Sequence, residues 1–349
     1  MAVSSPVAGA TRPSIKDVGR VAGVSVSTVS HVLNGTRYVS PELRQKVEAA
    51  ITQLGYRHNE LARSLRTRRS FAIGLIIPDI SNAYYPQLAR GVQDAADQAG
   101  YTVFVCNSDR RPEHEIRLLE VLEQRQVDGV ILDASGPHRA LVAALHRTST
   151  PVVLVGSRID APAFDVVKMA PHGGYDAVRH LLARGHRRIG LIAGPPPPGS
   201  DRPAKVGGYL LALEEAGITL EPSLIVQGDY TREGGQRAMA TLLALQARPT
   251  AVFAGNDLMA IGALTAARAA GLRVPEDIAI AGYDDIPEAA VTSPALTTVA
   301  VPKYEMGRAA AELLLERLAA RTTRAGEPAP PSAPRHIVLP HHLVIREST

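Results

Sequence analysis

Residues 15–40 read IKDVGRVAGVSVSTVSHVLNGTRYVS, and this stretch predicts two short helices. The first begins at a capping box, because Ser14 supplies a hydroxyl at the N-cap and Asp17 supplies an acid three residues later. Gly23 ends this helix, and Ser25 is placed to cap a second helix over residues 26–33. Two short helices with so few residues between them predict a helix-turn-helix.

The second helix has an apolar face and a polar face. The apolar positions are Val29, Val32 and Leu33. The polar face follows helical spacing and consists of Ser27, Ser30, His31 and Asn34. A short face of hydrogen-bonding side chains suits the base edges in the major groove of DNA. Helix-turn-helix geometry also serves in contacts between proteins, so the spacing alone leaves that alternative open.

The N-terminal segment is strongly basic. Residues 1–70 contain 11 Lys and Arg against 4 acidic residues, so this segment carries +7 and the rest of the chain −3. A solvated basic tail would explain the charge but not the helical pattern. Charge and pattern together predict binding to a polyanion, and DNA fits both.

A third helix is predicted from Ser40-Pro41 to Gly55, and three helices can close a small core. Residues 59–66 then predict a short helix that is marginal by itself in water. Its apolar edge contains Leu65 beside arginines, as in proteins that insert a wedge into the minor groove. Packing of Leu65 on the following domain explains the same pattern equally well.

From residue 70 onward, short apolar strands alternate with helical stretches such as 86–100, 112–126 and 173–185, which is typical of a parallel α/β sheet. The predicted strands are 71–77, 101–106, 129–133, 152–155, 188–193, 250–254, 278–281 and, after a proline-rich linker, 336–345. About 280 residues exceed one usual core, so we expect two lobes, with a ligand bound at the carboxyl ends of the strands.

Polar and aromatic side chains follow three of these strands. They are Asp79, Asn82, Tyr84 and Tyr85 after the first strand, Asn256 and Asp257 after another, and Asp284 and Asp285 after a third. Acceptors beside flat aromatic faces suit a sugar or a base. Each aspartate is explained equally well as the cap of the next helix.

The composition predicts a cytoplasmic protein. Cys106 is the single cysteine, so no intramolecular disulfide is possible and an oxidising compartment is not required. The first dozen residues lack an apolar signal-peptide core, and no run of about 18 apolar residues occurs. The sequence therefore predicts neither export nor a membrane span.

An enzyme and a transport binding protein are the alternative classes. No phosphate-binding loop and no Ser/His/Asp or Cys/His arrangement stands out, so we predict no catalytic residues and no cofactor. His341 and His342 lie in a predicted strand, where neighbours face opposite ways, so no metal site is predicted. A transport binding protein would share the two-lobed fold but would carry a signal peptide and no helix-turn-helix.

The chain resembles the lactose-repressor/galactose-repressor (LacI/GalR) family over nearly its whole length after about residue 13. The resemblance rests on residues 15–40, on QLGY and LARSLRT, and on IGLIIPDISNAYY, QRQVDGVIL, GHRRIGLIAGP, RPTAVFAGNDLMAIGAL, GLRVPEDIAIAGYDD and SPALTTVAVP. It implies an α/β two-lobed periplasmic-binding-protein-like sensor domain with an N-terminal all-α helix-turn-helix DNA-binding domain.

The resemblance also implies site residues. Those for DNA are Val26, Ser27 and His31 on bases, Thr28, Ser30 and Asn34 on phosphates, and Leu65 and Arg66 at the minor groove of the operator centre. Those for the effector cleft are Asp79, Tyr84, Tyr85, Arg158, Lys205, Phe253, Asp257 and Asp284. Many relatives have arginine where this chain has His31, so the operator preference is expected to differ.

Two departures from the family pattern concern the effector cleft. Lys168-Met169-Ala170 stands where relatives usually have a Val-Asp-Asn-like triplet, and Lys205 stands where they have arginine. Lysine and arginine are not equivalent in bidentate recognition, so the identity of a relative's ligand does not transfer. A phosphorylated partner and an unusual effector both stay open.

These observations predict a sequence-specific transcriptional repressor whose operator affinity is controlled by a small molecule, a sugar or related metabolite. The predicted divisions are a disordered extension (1–13), the helix-turn-helix domain (14–58), the hinge helix and linker (59–69) and the effector-binding and dimerisation domain (70–349). A homodimer would place two recognition helices on a near-palindromic operator. Effector binding would change the angle between the lobes and order or melt residues 59–66.

Overall fold

The computed structural model describes residues 13–34, 37–56, 69–136, 138–156, 162–170, 173–196, 205–322 and 333–349. The predictions for residues 1–12, for Leu65 and Arg66, and for Arg158 lie outside these residues. The chain divides into two units, Met1–Ser70 and Phe71–Thr349, which we describe separately.

The described part of the first unit contains the predicted helices α1 (Ile15–Ala22), α2 (Val26–Asn34) and α3 (Pro41–Leu54). The predicted capping box is present, because the Asp17 N–H donates to the Ser14 hydroxyl at 3.4 Å and the Ser14 N–H donates to the Asp17 carboxylate at 2.9 Å. Gly23 ends α1 with φ at 65°, a conformation that glycine adopts without steric cost. The three helices enclose a core of Val18, Ala22, Val29, Val32, Val47 and Ala50.

The second unit alternates strands and helices. The described strands are β1 (Ala72–Ile77), β2 (Thr102–Asn107), β3 (Gly129–Asp133), β4 (Val152–Val155), β5 (Asp165–Met169), β6 (Ile189–Ala193), β7 (Ile225–Gln227), β8 (Ala251–Ala254), β9 (Ala279–Asp284), β10 (Thr297–Ala300), β11 (His336–Leu339) and β12 (His342–Val344). The described helices are α4 (Tyr84–Gln98), α5 (Pro112–Gln124), α6 (Arg139–Arg147), α7 (Gly173–Ala183), α8 (Val206–Glu215), α9 (Arg232–Leu243), α10 (Asp257–Ala269) and α11 (Lys303–Thr322).

These elements form two lobes, each built on a sheet between two layers of helices. The first sheet has the order β11-β5-β4-β3-β1-β2 and is entirely parallel, with α4 and α11 on one face and α5 and α6 on the other. The second has the order β12-β10-β9-β8-β6-β7, in which only the β10–β12 pair is antiparallel among the described strands. Helices α7 and α8 cover one face of it, and α9 and α10 the other. The predicted two-lobed α/β architecture is confirmed.

The chain passes between the lobes between β5 and α7, between β10 and α11, and between β11 and β12. The last passage corrects the sequence prediction of one strand over 336–345. Pro340 has no N–H to donate to a ladder, and it separates β11 in the first sheet from β12 in the second. Strands β5, β7 and β10 were not predicted, because each is short and its apolar run is interrupted or bounded by polar residues.

Each lobe contains a pair of helices in close contact through glycines. In the first lobe, a Cβ at Gly91 of α4 or at Gly307 of α11 would lie closer than 3.0 Å to a backbone carbonyl of the other helix. In the second lobe, a Cβ at Gly235 of α9 or at Gly262 of α10 would likewise lie closer than 3.0 Å to a backbone carbonyl of the other helix. No other residue fits these positions without moving a helix, so the glycines set the distance between the two helices of each pair.

A buried ion pair joins the strands and a helix of the first lobe. Asp165 of β5 accepts two hydrogen bonds of 2.7 Å from the Arg317 guanidinium of α11 and one of 2.7 Å from the Arg335 N–H before β11. Burial raises the pKa of the Asp165 carboxyl, but these hydrogen bonds outweigh burial and hold the pKa below its usual value.

We expect Asp165→Asn to lower the free energy of unfolding of the second unit by about 2 kcal/mol at pH 7, the usual size of hydrogen bonds to a charged group. Because the folded-state pKa is lowered, the stabilisation is present above the unfolded pKa and is lost as the pH falls through the folded value. Urea unfolding measures this effect: the difference in free energy of unfolding between the wild type and Asp165→Asn should be smaller in acid than at pH 7. The same loss at both pH values would contradict the charge argument. Glu312→Gln removes an exposed partner of Arg308 on the same helix and should change stability by less than about 0.5 kcal/mol.

Among the described residues, no helix has both the length and the apolar character needed to cross a lipid bilayer.

Candidate nucleic-acid interface and ligand cavity

The N-terminal end of α2 presents the side chains that were predicted to contact DNA. Val26 is 43% exposed although it is apolar, and Ser27 is exposed beside it. Thr28, Ser30 and His31 are half-buried. Helix α2 ends at Asn34, whose side chain is outside the described residues.

A cluster of hydroxyls caps α2. The Ser25 Oγ accepts a hydrogen bond of 3.1 Å from the Thr28 N–H and lies 2.8 Å from the hydroxyl oxygens of both Ser27 and Thr28. The buried Val29 and Val32 fix the opposite face of the helix in the core. This arrangement exposes an apolar methyl surface, hydroxyls and an imidazole on one side of the helix, which are groups that contact thymine methyls, phosphates and base edges.

A cavity of about 430 Å³ lies between the two lobes of the second unit, within the size range of small-molecule sites. Its walls are formed by the carboxyl ends of strands in both sheets and by the segments that follow them. The lining residues are Asn82, Tyr84, Tyr85, Arg110, Asp133, Gly156, Lys168, Met169, Ala170, Gly173, Gly174, Lys205, Gly208, Tyr230, Gly255, Asn256, Tyr283, Asp284, Val301 and Met306.

Two tyrosines at the start of α4 form an aromatic wall. The rings of Tyr84 and Tyr85 meet edge to face with centroids 5.0 Å apart, and the Tyr84 hydroxyl lies 3.7 Å from the Met306 sulfur. Burial, and then the charges of Asp133 and of other acidic groups around it, raise the pKa of Tyr84 well above its usual value. The neutral phenol therefore stays a hydrogen-bond donor at any physiological pH.

Cations pack on aromatic rings at two places in the cavity wall. The Lys205 amine lies 3.4 Å from the centre of the Tyr283 ring, within the second lobe. Arg110 of the first lobe lies over the Tyr230 ring of the second lobe at 4.7 Å, and its guanidinium is 3.5 Å from Asp79. Arg110 thus connects the lobes directly across the cleft.

The backbone at Asp284 holds that carboxylate at the cavity wall. Asp284 and Asp285 have φ values of 110° and 52°, which are uncommon outside glycine. The buried Lys303 amine donates hydrogen bonds to the backbone carbonyls of both residues, and Arg346 donates to the Asp285 carboxylate at 2.7 Å. These bonds stabilise the strained turn that ends β9.

Some of the residues predicted for the effector lie together in this cavity and others do not. Tyr84, Tyr85, Lys205 and Asp284 line it. Asp79 is not in the wall; it lies behind Arg110 and accepts hydrogen bonds from the Ser81 N–H at 3.0 Å and the Ser81 hydroxyl at 2.6 Å. The effector roles of these residues stay predictions.

Phe253 and Asp257 correct the expectation that both line the cleft. Phe253 is fully buried in the middle of the second sheet, with its ring packed below Gly174. Asp257 is fully buried and accepts hydrogen bonds of 2.6 Å from the Thr298 hydroxyl and 2.9 Å from the Ile286 N–H. Burial and the nearby charge of Asp284 raise its pKa to about 8. Asp257 therefore supports the turn after β9 instead of facing the cavity.

Several cavity residues were missed from the sequence. Asp133 ends β3, so the rule that polar groups follow strands would have found it. Arg110 and Tyr230 follow the edge strands β2 and β7, and no local pattern shows that they meet across the cleft. Tyr283 lies inside β9, where an aromatic residue resembles ordinary core. Within the described ranges, no three His, Cys, Asp or Glu side chains group closely enough to hold a metal ion.

Two family models match the chain. Residues 14–59 match the model described as bacterial regulatory proteins, lacI family, and residues 178–349 match a periplasmic binding protein-like domain. The HTH-type transcriptional repressor PurR of Proteus mirabilis (strain HI4320) is 41% identical over 308 residues, which cover 87% of this chain and 90% of that protein.

Solved structures agree in fold with both units. A lac repressor dimer bound to operator and the anti-inducer ONPF is 29% identical with a TM-score of 0.83, covering 97% of this chain and 99% of that one. A complex of the transcriptional regulator CelR with cellobiose is 34% identical with a TM-score of 0.71, covering 97% of this chain and 100% of that one.

Proposed function

Because this chain belongs to the lacI family of bacterial regulatory proteins, we propose that the cavity between its lobes binds the small molecule that controls its operator affinity. The chain is a DNA-binding transcriptional repressor and not an enzyme. The observation that carries the proposal is the combination, in one chain, of an exposed helix-turn-helix surface and a cavity bounded by two lobes.

The proposed ligand is a sugar or a related polyhydroxylated metabolite. Asp133 and Asp284 supply acceptors along the cavity, and Tyr84 and Tyr85 supply flat apolar surfaces. Alternating polar edges and aromatic faces match the two faces of a sugar ring. The bound cellobiose of CelR is an example of such a ligand in a related fold.

The proposed DNA complex is a homodimer on a near-palindromic operator in the cytoplasm. Val26, Ser27 and His31 would contact bases, and Thr28, Ser30 and Asn34 would contact phosphates. Support comes from the exposed side chains at the start of α2 and from the dimer that the related lac repressor forms on its operator. Sequence-specific contacts from two copies multiply the specificity of one recognition helix.

We expect His31→Ala to weaken binding to the specific operator about 10- to 100-fold, because a good contact to a base edge is worth about 1–3 kcal/mol. Binding to unrelated DNA should change little, because phosphate contacts supply it. The measurement is a mobility-shift titration of the full chain on an operator selected from random DNA, with unrelated duplex as comparison. Equal losses on both duplexes would remove His31 from base reading.

Ser30→Ala is the matched control on the same helix face. Because Ser30 is proposed to contact a phosphate, Ser30→Ala should weaken binding to the operator and to unrelated DNA to a similar extent. A loss of affinity confined to the operator would mean that Ser30 contacts a base and not a phosphate.

A panel of sugars added to the operator complex tests the effector proposal. If a sugar binds the second unit but no such sugar changes the affinity for the operator, the proposal is contradicted.

A further inference from the structure

The cavity wall contains more cations than carboxylates. Arg110, Lys168 and Lys205 line it against Asp133 and Asp284. Arg110 is partly compensated by Asp79, and its guanidinium also packs on the Tyr230 ring. With Arg110 compensated in this way, Lys168 and Lys205 are the cations left to contact a ligand, and Asp133 and Asp284 are the carboxylates.

Lys168 is the distinctive member of this group. It lies in β5, is half-buried, and has no hydrogen-bond or ion-pair partner in the part of the chain that the structure describes. Since no counter-ion for it lies among the described residues, an anion placed beside its ammonium group would gain a charge-assisted hydrogen bond. Lys168 is therefore the strongest candidate in the wall for binding a ligand's negative charge.

Helix N-termini add to the positive character of the same cavity. Lys205 is the N-cap of α8 and makes no side-chain capping hydrogen bond, and Gly208 in the first turn of that helix also lines the cavity. Gly173 and Gly174 bring the first turn of α7 to the wall. Both helices have at least ten residues, and the partial positive charge at a helix N-terminus favours an anion.

Two carboxylates also line the wall, and the charges of both Asp133 and Asp284 act on Tyr84. Carboxylates accept hydrogen bonds from hydroxyls, which a sugar ring supplies in number. The wall thus combines acceptors for hydroxyls with cationic donors for a negative group.

We propose that the effector is a polyhydroxylated anion, a sugar phosphate or a sugar acid, whose charged group binds Lys168 and Lys205. This inference rests on the proposal that the cavity is the effector site. Lys168 belongs to the first lobe and Lys205 to the second, so an anion that contacts both links the lobes. Binding of this charged group would then be what changes the angle between the lobes.

Matched ligands test the proposal. Thermal shift and calorimetry on the full-length chain, at constant ionic strength, would compare hexoses and pentoses with their phosphates and with the corresponding aldonic acids. We expect an anionic member to bind and its neutral counterpart to bind at least about 10-fold more weakly. Phosphates and aldonic acids distinguish the two kinds of anion, and inorganic phosphate controls for a simple ion effect. Neutral sugars that bind as tightly as their anions, or an absence of binding by every anion, would overturn the proposal.

Variants at Lys168 give the second arm. Lys168→Met should reduce affinity for the anionic ligand about 10- to 100-fold, and Lys168→Arg should retain most of it. Arg147→Met, on the exposed face of α6, removes the same charge from the same lobe and should leave affinity unchanged. Wild-type affinity in Lys168→Met, in a protein with a normal melting temperature, would contradict the assignment.

Operator binding separates this inference from the function on which it rests. An operator complex that responds only to a neutral sugar would support the proposed function and overturn the anionic effector. A tightly bound anion with no effect on the operator complex would support the ligand chemistry and contradict the proposed control of DNA binding.

Discussion

Replacing Asp257 with asparagine is expected to make the free energy of unfolding of the second unit less dependent on pH. The change in this free energy between pH 5 and pH 8 should be smaller by about 3 kcal/mol in the variant. The folded-state pKa of Asp257 is about 8, above its unfolded value. The unfolded chain therefore releases this proton first, and the free energy of unfolding of the wild type falls as the pH rises toward 8. Asparagine has no proton to release, but it can still accept from the Ile286 N–H and hydrogen-bond to Thr298.

Urea unfolding of both proteins across this pH range measures the effect, because groups that titrate in both proteins cancel in the difference. Asp277→Asn is the matched control. Hydrogen bonds from the Arg273 side chain and backbone lower the pKa of Asp277 to about 2, so this carboxylate is ionised in both states and its variant should run parallel to the wild type. Parallel curves for Asp257→Asn would show that the buried carboxyl is ionised in the folded protein.

Gly307→Ala is expected to destabilise the second unit by about 3 kcal/mol or more, the upper end of the usual range for overpacking, because the new methyl group meets rigid backbone. Helix propensity alone predicts the opposite sign, a gain of up to about 1 kcal/mol. The methyl group would overlap the Leu88 carbonyl oxygen of α4, and neither helix backbone can bend away within a turn. Because α4 begins at Tyr84, the same change should weaken ligand binding in the cavity.

Gly207→Ala provides the comparison, since a Cβ at Gly207 of α8 meets nothing within 4 Å and the residue is exposed. Its stability should change by less than about 1 kcal/mol, with the sign that helix propensity predicts. Denaturant unfolding of the two variants decides between packing and propensity. A stabilised Gly307→Ala protein would mean that α4 and α11 are farther apart than described.

Local chemistry predicted the helix-turn-helix because each of its signals acts within a few residues. Ser14 and Asp17 form their reciprocal hydrogen bonds across one turn, and Gly23 ends α1 at the next. Tyr84 and Asp284 were also predicted from nearby residues. Tyr84 follows β1 and Asp284 ends β9, and the carboxyl ends of these strands meet at the cavity wall. Short-range rules suffice where the structure is short-range.

The remaining features depend on contacts between distant segments. Phe253 and Asp257 lie as close to a strand end as Asp284 does, but the sequence does not show which of them the neighbouring helices bury. Arg110 and Tyr230 contact each other only because two separately formed sheets face one another. Lys168 appears in the sequence only as a departure from a family pattern, and the cavity shows what surrounds it.

The strands β11 and β12 come last in the chain, so they determine when the second unit can complete its fold during synthesis. The hydrogen bond from the Arg335 N–H to Asp165 spans 170 residues. In the other lobe, the buried Ser348 hydroxyl donates to the Ile280 carbonyl of β9 and accepts from the Thr297 N–H of β10. Neither lobe can close its sheet until these segments have left the ribosome, whereas the three helices of the first unit are complete by residue 56. A nascent chain thus has its helix-turn-helix long before it has a finished effector cavity.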